Sequence, residues 1–210
     1  MIKILIADDH FLIREGLKKI LKTEPDLEIA GEASNAQEIM QLVRSLAIDV
    51  LVLDISLPGK SGLDVLADVR MEKPKLPVLI LSMHSEDRFA VRTIKSGAAG
   101  YLTKGSAADE LVNAIRKVSR GEKYISESLA QRLAKNVESA PKKLPHEALS
   151  EREFQIFHLL AVGKNLSEIA EVLSIAHSTV QTYRQRIFEK MGLKSNAQVI
   201  HYAATHELID

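Results

Sequence analysis

From residue 1 to about residue 120 the chain repeats one pattern five times, a short apolar run followed by an amphipathic stretch with helical spacing. The runs are Ile2 to Ala7, Leu27 to Ala33, Val50 to Asp54, Val78 to Ser82 and Ala99 to Leu102. Each is strand-sized and nearly continuous in apolar residues, as a strand covered on both faces must be. Between them, sets such as Ile13, Leu17, Ile20 and Leu21, or Ile39, Leu42, Val43 and Leu46, recur with the period of a helix that buries one stripe. The pattern predicts an α/β fold, a (βα)5 doubly wound parallel sheet. In such a sheet ligands gather outside the carboxyl ends of the strands.

The rest of the chain reads differently. Residues 121–147 carry Pro141, Pro145 and several lysines with no sustained apolar period beyond Val137. This predicts a linker with one helix, capped by Ser126 and marked by Leu129, Leu133 and Val137. Residues 148–210 predict an all-α, four-helix domain. A capping box, Ser150 to Glu153, opens a helix through Ala161, and Gly163 stops it. Ser167 to Leu173 is short, Ser178 caps a longer helix to about Met191, and Ser195 or Asn196 begins the last. With 210 residues, 46% of them apolar, there is material for two cores. The absence of cysteine excludes disulfides and thiolate metal sites. Asp8 and Asp9 interrupt the only N-terminal apolar run, and no stretch has membrane-span length, so the expectation is a cytoplasmic protein with no membrane partner.

Three carboxylates end strands: Asp8 and Asp9 after the first, Asp54 on the third. Parallel packing brings them to one edge, where hard oxygen ligands suit Mg²⁺. Ser82 ends the fourth strand and Lys104 follows the fifth, adding a hydroxyl and a cation. Together these five groups suit a phosphoryl group, attacked in line by a carboxylate while cations neutralise its oxygens. The strings IADDH at 6–10, DISLPGKSG at 54–62, LSMH at 81–84 and GAAGYLTK at 97–104 resemble the receiver domain of response regulators. The resemblance covers residues 1–120. It implies Asp54 as phospho-acceptor and Mg²⁺ held by Asp8, Asp9, Asp54 and the backbone carbonyl of Ser56. It also implies Lys104 and Ser82 on the phosphoryl oxygens and Tyr101 as an aromatic switch residue moving with Ser82. A receiver of this kind catalyses only its own phosphorylation and dephosphorylation. Lys104 is followed by Gly105 where many receivers have proline, so no cis bond is expected there.

In the helical domain, residues 167–186 place two helices around a short turn, with Ile169, Ala170, Leu173, Val180 and Ile187 as their common core. On the second helix Val180, Ile187 and Met191 share one side, whereas Ser178, Gln181, Thr182 and Gln185 lie opposite, flanked by Arg186 and Lys190. Amides between cations suit base reading with phosphate anchoring. Charge argues less clearly. Lysine plus arginine equals aspartate plus glutamate at 28 each, and residues 146–210 hold six cations against eight carboxylates; only 177–194 is locally basic.

The strings LSERE at 149–153, IAEVL at 169–173, STVQTYRQRI at 178–187 and EKMGLKS at 189–195 resemble the LuxR-type helix-turn-helix. With the receiver, this is the order of NarL/FixJ-type response regulators, and the wording is similar to the GacA/UvrY branch. The resemblance implies a sensor histidine kinase, double-stranded promoter DNA and RNA polymerase as partners, and a homodimer on phosphorylation. The DNA-contact set would be Ser178, Thr179, Gln181, Thr182, Arg184, Gln185, Arg186 and Lys190. Val199, Ile200 and Ala203 would form the dimer face. Ser174 stands where many such turns carry glycine.

Three other readings stay open on the residues alone. A carboxylate nucleophile with Mg²⁺ also serves some phosphohydrolases, though no second catalytic acid or enclosing insertion is visible. Nucleotide binding lacks a glycine-rich phosphate loop after the first strand. The acidic balance of the helical domain also suits a protein partner in place of DNA.

Overall fold

The computed structural model describes residues 1–57, 60–83, 86–126, 129–130, 144–206 and 208–209. The chain divides into two compact units, Met1–Glu138 and Ser139–Asp210. No helix among the described residues is long and apolar enough to cross a membrane.

The first unit alternates β1 (Ile2–Ala7), α1 (Phe11–Leu21), β2 (Leu27–Ala33), α2 (Ala36–Ser45), β3 (Val50–Asp54), α3 (Gly62–Glu72), β4 (Val78–Ser82), α4 (Glu86–Lys95), β5 (Gly100–Thr103) and α5 (Ala108–Ser119). All strand pairs are parallel and the order is β2-β1-β3-β4-β5, the doubly wound arrangement expected. Strands β3 and β4 are buried at every residue, which is why their sequences show no polar alternation. Burying leucine- and isoleucine-sized side chains such as Ile4, Leu51 and Leu53 contributes about 1.5–3 kcal/mol each.

Strand β5 begins and ends one residue later than expected, at Gly100–Thr103 in place of Ala99 to Leu102. Pairing with β4 sets these limits: the ladder runs from Leu79 facing Gly100 to Ser82 facing Thr103, leaving the apolar Ala99 outside the strand and the polar Thr103 inside it. After α5 the chain returns along the outer side of β5. Tyr124 forms a parallel bridge with Gly100, and its amide donates to the Ala99 carbonyl at 2.9 Å. A Cβ on Gly100 would lie 2.8 Å from the Tyr124 carbonyl oxygen, so glycine permits this approach. The start of the expected linker helix is present: Leu129 N–H donates to Ser126 Oγ at 3.2 Å and Ala130 N–H to the Ser126 carbonyl at 3.0 Å. Leu133 and Val137 lie outside the described residues.

The second unit holds a 3₁₀ turn (Pro145–Ala148), then α6 (Glu151–Ala161), α7 (Leu166–Val172), α8 (His177–Met191) and α9 (Asn196–Thr205). Ser150 and Glu153 form the expected capping box, and Gly163 takes φ +85° just past α6. A second capping box, Asn165 with Glu168, starts α7 one residue before the expected Ser167. Helix α8 also starts early, with Ala176 at its N-cap and no side-chain cap, so Ser178 lies inside the first turn and caps nothing. Ser174 in the turn adopts φ +50°, the left-handed conformation that glycine would take without strain.

Val180, Ile187 and Met191 are buried, as their helical spacing predicted. The expected dimer face is corrected here. Val199 and Ala203, which the resemblance implied for a dimer face, are fully buried and belong to the domain's own core. Of the three residues only Ile200 is exposed, at 41%.

Candidate functional site

The sheet register determines what meets at its carboxyl edge. Ala7 pairs with Leu53, Asp54 with Leu81, and Ser82 with Thr103, so Asp8, Asp54, Ser82 and Lys104 emerge side by side. The turn after Asp54 is tight. Gly62 N–H donates to the Ile55 carbonyl at 2.9 Å, and a Cβ on Gly62 would strike the Asp54 carbonyl oxygen and lie 2.6 Å from Ile55 Cα. Only glycine lets the start of α3 pack this closely behind Asp54.

Lys104 Nζ lies 2.7 Å from Asp8 Oδ2 and 2.8 Å from Asp54 Oδ2. All three side chains are at most 3% exposed. One buried cation therefore serves two buried anions, and a third, Asp9, lies beside them at 26% exposure. Burial pushes the Asp54 carboxyl above the ordinary carboxylate range; Lys104 pulls it down and the Asp8 charge adds to the rise. For Lys104, burial acts to lower the pKa, but Asp54 and Asp8 outweigh it and hold the ammonium above the usual lysine value. The amide of Ser56 donates to Asp54 Oδ1 at 3.1 Å.

The contacts of the buried oxygens Asp8 Oδ2 and Asp9 Oδ1 are ionic, with Lys104 Nζ at 2.7 Å and His10 Nδ1 at 2.8 Å respectively. One ligand atom each from Asp8, Asp9, His10 and Asp54 lies within 4.8 Å of the others. Three carboxylates so close together with one buried ammonium among them fit a hard divalent cation. Ser82 is fully buried, and its carbonyl accepts from Lys104 N–H at 2.7 Å. Tyr101 is fully buried as well, rather than half-buried as an ordinary edge-strand tyrosine would be.

Two neighbours carried no sequence argument. Arg14 donates to the Asp8 carbonyl at 2.7 Å, fixing the turn from β1 into α1. His10 Nδ1 lies 2.8 Å from Asp9 Oδ1 and 3.1 Å from Asp8 Oδ1, and its place next to the acid pair was the only hint available.

On α8 the residues expected to face DNA divide by their engagement. Ser178, Gln181, Thr182, Gln185, Arg186 and Lys190 are exposed, while Thr179 and Arg184 are half-buried. The Thr182 hydroxyl donates to the Ser178 carbonyl at 2.9 Å, and Gln185 donates to Glu189 at 3.1 Å. Arg184 donates to Asn196 at 2.9 Å and lies over the Phe188 ring at 4.5 Å. Lys190 is ion-paired with buried Glu153 of α6 at 2.7 Å, a structural partner the outward-facing pattern did not reveal. Beside it Arg152, also buried, donates to the Leu173 carbonyl at 3.1 Å and to Gln155 at 3.0 Å. Adjacent residues of α6 thus hold the ends of both helices of the turn.

A 2-1-3-4-5 parallel sheet with an acid–lysine cluster at its carboxyl edge, joined in one chain to a helix-turn-helix, defines the response-regulator class. Residues 4–116 match the response regulator receiver domain family, and residues 147–203 match the bacterial regulatory proteins, luxR family. The chain belongs to the two-component response regulators with a LuxR-type DNA-binding output domain that regulates transcription. It is 37% identical to the response regulator GacA of Pseudomonas aeruginosa, over 100% of this chain and 99% of that one. To the response regulator UvrY of Escherichia coli K12 it is 35% identical, over 99% and 96%. These relatives place it in the NarL/FixJ-type GacA/UvrY branch. A solved structure of RcsB from Salmonella enterica serovar Typhimurium, bound to promoter rprA with the phosphomimetic BeF3⁻, shares the fold. Its TM-score is 0.64 at 21% identity, over 97% of this chain and 99% of that one.

Proposed function

We propose that Asp54 accepts a phosphoryl group from a sensor histidine kinase and that the modified receiver, residues 1–120, switches promoter binding by residues 148–210 through the linker 121–147. The observation that carries this reading is the buried Lys104 ammonium bridging Asp8 and Asp54, with the Asp9 carboxylate beside it. Such a cluster is costly to bury and is expected where a charged ligand arrives to complete it. Asp8, Asp9, Asp54 and the Ser56 carbonyl would hold Mg²⁺, which when bound neutralises charge on the transferring oxygens.

The chain's own groups perform the rest. An Asp54 carboxylate oxygen attacks phosphorus in line, the P–N bond to the kinase histidine breaks, and the electron pair leaves with the imidazole. Lys104 holds Asp54 ionised in a site whose burial favours the neutral acid, and its ammonium then pairs with the acyl phosphate. The Ser82 hydroxyl binds a phosphoryl oxygen. Tyr101 follows Ser82, with which it shares the β4–β5 ladder, and the β5 surface reports the change. Cytoplasmic location, RNA polymerase as a partner and dimerisation on phosphorylation belong to the same reading.

For DNA, Gln181 and Gln185 are the base readers, and Ser178, Thr179, Arg186 and, after release from Glu153, Lys190 anchor phosphates. Thr182 and Arg184 position the helix. The RcsB chain, which shares both folds, is held on promoter DNA. The test is labelling of the full chain with a radioactive small-molecule phosphodonor. Wild type should gain acid-labile label dependent on Mg²⁺ and retain a promoter-length fragment more tightly; Asp54→Asn should do neither. Undiminished labelling of Asp54→Asn would refute the assignment.

A further inference from the structure

We propose that His10 is a nitrogen donor at the cation site, which makes this receiver prefer a borderline divalent ion such as Co²⁺ over Mg²⁺. The inference rests on the reading of the Asp8–Asp9–Asp54 cluster as a cation site and adds a residue and a selectivity to it. His10 Nδ1 is 2.8 Å from Asp9 Oδ1 and 3.1 Å from Asp8 Oδ1. Ligands about 2.1 Å from a common ion at right angles lie about 3.0 Å apart, and opposed ligands about 4.2 Å apart. Both distances from the ring nitrogen match the adjacent spacing. The whole four-residue set, within 4.8 Å, needs only a small contraction to close on one ion.

The hydrogen-bonding pattern points the same way. The ring nitrogen converges on both carboxylates, hydrogen-bonded to Asp8 Oδ1 at 3.1 Å and 2.8 Å from Asp9 Oδ1, while Asp8 Oδ2 takes the Lys104 ammonium at 2.7 Å. The backbone turn fixes the ring's place, since the His10 amide donates to Asp8 Oδ1 at 2.8 Å. With Nε2 carrying the proton, Nδ1 offers its lone pair to the site and the outer nitrogen remains free for water. The exposed side of the ring, 60% accessible, requires no rearrangement of the core. Imidazole nitrogen raises affinity for first-row ions late in the series far more than for Mg²⁺, which binds oxygen almost exclusively.

Calorimetric titration of the full chain with CoCl₂ and with MgCl₂ tests this, comparing wild type, His10→Ala, His10→Gln and Asp9→Asn. His10→Ala and His10→Gln should each lose at least about tenfold more affinity for Co²⁺ than for Mg²⁺. In the proton NMR spectrum of the Co²⁺-loaded wild type, a hyperfine-shifted exchangeable imidazole N–H should appear, and it should be missing from both His10 variants. Equal losses for the two metals, or a shifted N–H that persists without His10, would overturn the proposal. Asp9→Asn should weaken both metals. If it does so while the His10 variants move neither, His10 is no ligand and the cation site stands; if Asp9→Asn also moves neither, the cation reading fails with it.

Discussion

Both units of this chain bury charged side chains, and they treat them in opposite ways. In the receiver unit one ammonium is shared by two buried carboxylates, and a third acid lies close by. In the helical unit Glu153 receives Lys190 and the amides of its capping box, while Arg152 is bonded to Gln155 and the Leu173 carbonyl. The first arrangement is left short of positive charge and can be completed from outside. The second is complete and stiffens the frame that presents α8. Unfinished electrostatics mark the switch, and finished electrostatics mark the scaffold.

Lys104→Met should have the largest effect on stability, leaving Asp8 and Asp54 facing one another. About 3 kcal/mol of receiver stability should be lost at pH 7 in chelator, read from the calorimetric transition of that unit. Because the fold favours the protonated form of Asp54, the deficit should shrink as pH falls through its raised pKa. A deficit that stays constant down to pH 4 would mean that packing, not charge, is responsible.

Glu153→Gln should cost less, about 1–2 kcal/mol, since Lys190 remains 42% exposed and partly solvated. Burial raises the Glu153 carboxyl, but Lys190 and the Ser150 bonds outweigh it and bring the pKa below the ordinary glutamate value. Its contribution is therefore present above that ordinary value and disappears as pH falls through the lowered one. In denaturant melts the difference between wild type and variant should be smaller at pH 3 than at pH 7.

Ser174→Gly should stabilise the helical unit by about 0.5–1 kcal/mol by relieving the left-handed strain. A loss in its place would show that the serine side chain supports the turn. The smallest effect on stability belongs to Arg186→Ala, within about 0.5 kcal/mol. Its signature lies in DNA binding, where the slope of log affinity against log salt should flatten by about 1 for specific and random sequences alike.

The receiver unit was legible because its signals are local and redundant. Apolar runs gave every strand to within one residue, and strand ends brought Asp8, Asp54 and Lys104 together once the sheet was inferred to be parallel. The shift of β5 was hidden because Ala99 is apolar and Thr103 is not, whereas the ladder with β4 leaves Ala99 out and takes Thr103 in. In the helical unit the helical period identified core positions well, whereas the dimer face rested on the resemblance alone, and Val199 and Ala203 turned out to be buried in the domain's own core. Helix starts slipped where serine was preferred over a stronger signal: the Asn165–Glu168 capping box opens the helix expected to begin at Ser167. The pairing of Lys190 with Glu153 joins residues far apart in sequence, and only the packing of α6 against α8 reveals it.

The return of Tyr124 along β5 bears on self-assembly. A terminal strand offers a row of free amides and carbonyls on which another molecule can add its own strand and so begin an aggregate. Here the chain's continuation occupies the Ala99–Gly100 end of that rim, and Lys123 Nζ takes the Ala98 carbonyl just before it. Only a short remnant of β5 is left to template growth. A bulkier residue at position 100 would peel this cover away and expose the chain to sheet-to-sheet clumping, a hazard that catalytic or DNA-binding assays would not detect.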